Sequence, residues 1–361
     1  MPNDPAAEIQ MPHSPLVKQI NFFLNSQGLQ YAVSSQVAQE LQRLTGWLRE
    51  HGHRLRQQGR EALEEKPPLP MESFAKGKSS CLYTFSGQQR WFLKYFYHQA
   101  QRKLRSEAFG LATMFQLFKV DPYVALPEGL CVDFNHQFLL TTQVNGIRLS
   151  KLFYLNSWQG WLSGVRDGTA HIFYQLGRIL GRVHREGERQ LPGGPPVQAF
   201  LAERFANALN RIPAQVPESA WLKRWFHQLG FEPRYNAYVH RNLNLNNILV
   251  DGDRLVLLDF ETFGRGDAFE DLGQLMGNLI VLRAVVGFPK GLIAPALRAF
   301  WAGYGQEEFA HKARLESAVK LHLANYYVRI FLLRRWPRTI SGLPVSRRRL
   351  RRLIESSLLL I

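Results

Sequence analysis

The chain has 361 residues, 45% hydrophobic and 20% charged, so it exceeds one ordinary domain and has globular composition. No stretch approaches the run of about 20 apolar residues that a membrane-spanning helix requires. Cys81 and Cys131 are too few for a disulfide framework and wrongly spaced for zinc, while a net charge of +16 directs attention to anionic partners.

Met1 to His13 carries acids and prolines instead of a basic segment followed by an apolar core, so no secretory signal is expected and the setting reads as a reducing cytoplasm. An apolar stretch around Leu16 to Leu24 reads as a short helix. Between Val33 and Arg60, Val37, Leu41, Leu44, Leu48 and Leu55 recur at helical spacing. Together they predict a helical N-terminal extension over residues 1–66. The run E-K-P-P-L-P from Glu65 to Pro70 ends it, because proline removes a donor and forces the residue before it to be extended.

Residues 67–144 then alternate short β-like runs (Cys81 to Phe85, Trp91 to Tyr97, Gln137 to Gln143) with one helical stretch from Gln101 to Phe118, which predicts a small α+β lobe. After the turn dipeptide Asn145-Gly146 the chain, 145–361, becomes mostly helical. Ile172, Leu176, Ile179, Leu180 and Val183 mark an amphipathic helix over His171 to Glu186. A strand, loop and strand from Tyr238 to Phe260 interrupts this half, and helices resume at Asp271. Near the C-terminus, Arg334, Arg335, Arg338, Arg347, Arg348, Arg349, Arg351 and Arg352 crowd together, with Glu355 the one acid in that stretch. This reads either as a solvated helix face or as an anion-binding surface for a membrane or an acidic partner. No zinc-finger, RNP or basic-zipper pattern suggests a nucleic-acid module.

The most specific segment is Y-V-H-R-N-L-N-L-N-N-I-L-V-D-G-D-R-L-V-L-L-D-F, Tyr238 to Phe260. It resembles the catalytic and metal-binding loops of aminoglycoside phosphotransferases, choline kinases and related small-molecule kinases, whose signature is H-x-D-x-x-x-x-N, a hairpin, and an apolar run into D-F. His240, Asn242 and Asn247 hold the signature positions and Asp259 ends the apolar run. The resemblance implies a bilobal protein-kinase-like α+β fold with a β-rich N-lobe, a helical C-lobe and the helical N-terminal extension. It implies ATP and Mg²⁺ as cofactors, with Asn247 and Asp259 as metal ligands, since phosphoryl transfer uses a cation held by a carboxylate and an amide oxygen. Asp271 matches the family carboxylate that fixes the catalytic loop.

On the same resemblance Lys94, in an apolar strand, is the phosphate-binding lysine and Glu107, thirteen positions on, its partner. Gly77, Lys78 and Ser79 lie where a phosphate-covering loop belongs, and Gln143 lies in the stretch that joins the lobes and holds the adenine. The departure is Asn242, where the family has the aspartate that accepts the acceptor hydroxyl's proton; an amide cannot take that proton at neutral pH. Arg241, Asn244 and Asn246 flank it, and no carboxylate stands in for it. Three readings follow: a phosphotransferase of reduced activity acting on a hydroxyl of a small polar, sugar or glycan substrate; a nucleotide-binding pseudokinase; and an interaction protein working through its basic tail. The acceptor is not legible.

Overall fold

Period-2 burial organises the first part of the chain. In a computed structural model, which describes residues 21–25, 28–32, 34–58, 66–76, 80–97, 100–152, 166–190, 201–231, 234, 236–282, 290–305, 312–333, 339–340, 343–344 and 346–355, the chain divides into two units. One comprises 1–111 with 125–145 and the other 112–124 with 146–361.

The first unit carries a seven-stranded antiparallel sheet. Its strands are β1 (Asn21–Asn25), β2 (Gly28–Ala32), β3 (Met71–Lys76), β4 (Ser80–Ser86), β5 (Arg90–Phe96), β6 (Gly129–Asp133) and β7 (Phe138–Thr142), in the order β1-β2-β6-β7-β5-β4-β3. Register pairs Cys81 with Tyr95, Tyr83 with Leu93 and Phe85 with Trp91. Since side chains alternate across a strand, all six lie on one face. They share a core cluster with Val37, Leu41, Leu44, Leu48 and Leu55 of the helix α1 (Ser35–Gln58). Polar groups pin helix to sheet: Trp91 Nε1 donates to Glu40 Oε2 at 2.8 Å and Tyr83 Oη to the Leu55 carbonyl at 2.6 Å. Both cysteines are buried and free.

The helix expected around Leu16 to Leu24 is not what forms within the described residues. Leu24 lies in β1, which pairs with β2 as an antiparallel hairpin, and β2 adds to β6. Two short runs containing Phe22, Phe23 and Tyr31, separated by two residues, fit a hairpin better than a helix. The pairing also satisfies the backbone groups along β6. Strands β3 and β6 were not marked by the sequence pattern.

In the second unit the helix Arg166–Gln190 packs along Lys290–Tyr304. Glycines set the approach: a Cβ at Gly177 would overlap the Phe300 carbonyl oxygen, and one at Gly303 the Tyr174 carbonyl oxygen. Helix Ala268–Val281, capped by Asp267 accepting from Phe269 N at 3.0 Å, lies along Lys312–Tyr327. A small sheet of β11 (Arg254–Leu257), β10 (Ile248–Asp251) and β8 (Ile147–Arg148), with the pair β12 (Gly264–Gly266) and β9 (Ala237–Val239), frames the loop around residue 242. No helix of the described residues is long and apolar enough to cross a membrane.

His322, 6% exposed, lies on the helix Lys312–Tyr327 with its Nε2 unpartnered. Burial, aided by the charge of Arg329, pushes its pKa down to about 4. The folded chain keeps it neutral while the unfolded chain takes up a proton below about pH 6.5. Stability is therefore expected to fall as pH drops from about 6.5 to 4, by up to about 3 kcal/mol. Denaturant titrations across that range should show a shallower dependence for His322→Leu.

Candidate functional site

Lys94 projects from the face of β5 opposite Trp91, Leu93 and Tyr95, because the pleat alternates. Its Nζ lies 2.6 Å from Glu107 Oε2 on helix α2 (Gln101–Phe118), and both residues are 6% exposed. The ammonium also sits 5.2 Å from the centre of the Phe96 ring. Removing one partner of a buried pair takes from the other the opposite charge it was buried against, so Glu107→Leu is expected to cost about 3 to 5 kcal/mol, with Lys94→Met/Glu107→Leu together costing less than either single change. Chemical denaturation of the three variants checks this. Gln143 follows β7, exposed, its backbone N donating to the Arg90 carbonyl at 2.6 Å. Gly77, Lys78 and Ser79 lie outside the described residues.

In the second unit the loop after β9 is organised by Asp271, which is fully buried. One carboxylate oxygen accepts from His240 N at 2.7 Å and from His184 Nε2 at 3.1 Å; the other accepts from Arg241 N at 2.6 Å. Desolvation opposes ionisation of Asp271, but the His184 hydrogen bond, the neighbouring His184 and His240 rings and the backbone donor hold its pKa below the ordinary carboxylate range. His240 donates from Nε2 to the Leu258 carbonyl at 2.9 Å, so Nδ1 is the acceptor for Asn242 N at 3.2 Å. Desolvation lowers its pKa, against the pull of Asp271 and Asp259. The neutral ring thus braces the loop at both nitrogens.

Arg241 adopts φ 59° and Asp259 φ 66°, left-handed conformations that cost non-glycine residues of the order of 1 kcal/mol or more and persist where surrounding contacts fix them. For Arg241 those contacts are Glu270 Oε2, 3.0 Å from Nε, and the Arg265 carbonyl. Burial pushes Glu270 up to about 7 even though Arg241 pulls it down.

The loop brings Asn242, Asn247 and Asp259 together. Asn242 Nδ2 donates to Asp259 Oδ2 at 2.5 Å, and Asn247 Nδ2 donates to the Asn242 carbonyl at 2.8 Å. Leu258 N donates to the Asn247 carbonyl at 2.9 Å, tying the asparagine to the strand that delivers Asp259. Glu261, missed in the sequence, has a carboxylate oxygen within 4.8 Å of one on Asp259. The signal was the D-F-E spacing, which puts two acids two positions apart. The neighbouring carboxylates of Asp259 and Glu261 offer oxygen donors only, the kind that suits a hard cation such as Mg²⁺ or Ca²⁺.

A cavity of about 110 Å³ lies elsewhere in this unit, lined by Arg234, Asn236, Asp267, Phe269, Tyr304 and Arg314. Tyr304 links it to the loop, since its hydroxyl lies 2.9 Å from His184 Nδ1. In the basic C-terminus, Arg347 pairs with Glu218, an acid remote in sequence, and Arg351 lies over the Trp221 ring and pairs with Glu355. Arg348, Arg349 and Arg352 are exposed, while Arg334, Arg335 and Arg338 lie outside the described residues.

A model of the phosphotransferase enzyme family matches residues 73–316. No curated protein matches the sequence. Among solved structures, the amicoumacin kinase hAmiN, in complex with AMP-PNP, Ca²⁺ and Ami, aligns with a TM-score of 0.55 at 15% identity, covering 89% of this chain and 95% of its own. A choline/ethanolamine kinase family protein from Mesorhizobium loti aligns with a TM-score of 0.50 at 17% identity, covering 85% and 95%. These likenesses establish the fold as kinase-like α+β, with a small antiparallel sheet lobe and a helical part.

Proposed function

The chain belongs to the phosphotransferase enzyme family, and on that footing we propose that it binds ATP with Mg²⁺ and directs phosphoryl transfer to a hydroxyl of a small polar, sugar or glycan acceptor, at a rate limited by Asn242. The observation that carries this reading is the loop scaffold, in which Asp271 holds His240 and Arg241 by their backbone N–H groups while Asn242, Asn247 and Asp259 converge. It is further supported by the oxygen-only donor set and by the buried Lys94–Glu107 pair. The hAmiN structure, of the same fold, holds a nucleotide analogue and a divalent ion.

In this reading Lys94 binds the nucleotide phosphates, aimed by Glu107, residues Gly77, Lys78 and Ser79 cover them, and the backbone near Gln143 takes the adenine. Asn247 and Asp259 hold the cation, which when bound offsets charge developing on the transferred group. Asn242 can orient an acceptor hydroxyl but has no basic group to receive its proton. The proposed setting is a reducing cytoplasm, and the exposed Arg348, Arg349 and Arg352 are the face offered to an anionic membrane surface or an acidic partner.

A second reading, nucleotide binding without transfer, is favoured by one observation: the Asn242 amide donates to Asp259, so the residue at the base position already serves the neighbouring carboxylate. ATP with Mg²⁺ at about 100 times the dissociation constant should stabilise the protein by about 2.7 kcal/mol. Absence of any melting shift at millimolar ATP and Mg²⁺ rejects nucleotide binding. If the shift occurs, a long-incubation ATP hydrolysis assay separates the two readings.

A further inference from the structure

We propose that Asn242 and Asn244 form a positioning relay that orders a divalent-cation site before the ion arrives; this rests on reading Asn247 and Asp259 as the cation ligands. The run N-L-N-L-N-N sets four asparagines within six residues, and hydrogen bonds fix the amide orientation of each in turn. Asn246 Oδ1 accepts from Ser150 Oγ at 2.5 Å, and its backbone N donates to Asn244 Oδ1 at 2.9 Å. With its oxygen engaged by an N–H, Asn244 must present Nδ2 to the far side. There it donates to both the carbonyl and Oδ1 of Asn242, each at 3.2 Å.

That choice propagates. With Oδ1 of Asn242 facing the Asn244 donor, its Nδ2 is left to face Asp259 Oδ2, 2.5 Å away. The Asn242 carbonyl meanwhile accepts from Asn247 Nδ2, which turns Asn247 Oδ1 outward. One residue therefore sets both ligands: its backbone fixes the amide of Asn247, and its side chain holds one oxygen of Asp259 and with it the orientation of the carboxylate. Outer hydrogen bonds of this kind orient ligands and, when lost, cost about 10- to 100-fold in metal affinity. An aspartate at 242 could not make the contact, because it has no N–H and would set carboxylate against carboxylate. The amide thus does more than leave a base missing; it assembles the metal-free site.

The test is Mn²⁺ titrated into the full chain with AMP-PNP present, read by the electron paramagnetic resonance of bound and free ion, alongside melting curves in chelator. Asn242→Ala and Asn244→Ser are compared with wild type and with Asp259→Ala. Serine at 244 keeps a cap for Asn246 N but removes the amide donor, so this variant separates the relay from folding. Both are expected to weaken Mn²⁺ binding about 10- to 100-fold, with the Asn244→Ser melting curve in chelator close to wild type. Mn²⁺ binding by Asn242→Ala as tight as wild type, or tighter, overturns the proposal, as does an unchanged affinity for Asn244→Ser. A wild type that binds AMP-PNP but no Mn²⁺, or neither, overturns instead the cation-site reading on which the proposal rests.

Discussion

Replacing Asp271 by asparagine is expected to destabilise the second unit by about 3 to 5 kcal/mol, the cost of breaking a buried charge network. Both carboxylate oxygens accept from backbone N–H groups, of His240 and Arg241, and one accepts from His184 as well. Asparagine offers a single oxygen. Whichever way its amide turns, an NH₂ group faces a buried N–H, and at least one donor loses its acceptor. Because the folded-state pKa of Asp271 is depressed, its stabilisation is present above the unfolded value near 4 and is lost as pH falls through the folded value. Denaturation curves at pH 7 should therefore separate wild type from Asp271→Asn widely, and the gap should narrow in strong acid. A variant as stable as wild type at pH 7 would mean that the loop is held by other contacts.

Asn242→Asp is expected to raise phosphotransfer or slow ATP hydrolysis by about 10² or more at saturating Mg²⁺, because a carboxylate supplies the proton acceptor that the amide lacks. The same change should loosen the metal-free site, since it replaces the 2.5 Å Asn242–Asp259 hydrogen bond with two like charges. The variant should thus melt lower than wild type in chelator and gain more from Mg²⁺. A wild type already turning over at about 1 s⁻¹ or faster and not improved by the aspartate would show that another group takes the proton. If both forms bind ATP and neither hydrolyses it, the chain is a nucleotide-binding protein without transfer.

Much of the candidate site was legible because its parts are local. His240, Asn242, Asn247 and Asp259 sit on one loop and hairpin, so their spacing nearly dictates their geometry, and a charged residue in the apolar run of Lys94 demands a partner that Glu107 alone could supply on the next helix. The long helices were readable for the same reason: Gln101–Phe118 and Ser35–Gln58 carry their periodicity within one segment. What the sequence hid depends on partners far along the chain. The β1–β2 hairpin forms on the edge of β6, about a hundred residues away. Glu218 meets Arg347 across a similar gap, so a tail that reads as uniformly basic has two of its arginines engaged. The asparagine relay was invisible for another reason. Spacing places the residues, but which end of each amide points where follows only from the full set of donors and acceptors.

The helix α1 has a practical consequence for anyone shortening this protein. The family match begins at residue 73, yet Leu41, Leu44, Leu48 and Leu55 lie upstream of it and complete the core that buries Tyr83, Trp91, Leu93 and Tyr95. A chain trimmed to the matched region would turn a continuous aromatic surface to water and leave β6 without its neighbour β2, presenting an open strand edge beside an apolar patch. Such a fragment would be prone to self-association through that edge, and its poor solubility would say nothing about the integrity of the phosphotransfer loops.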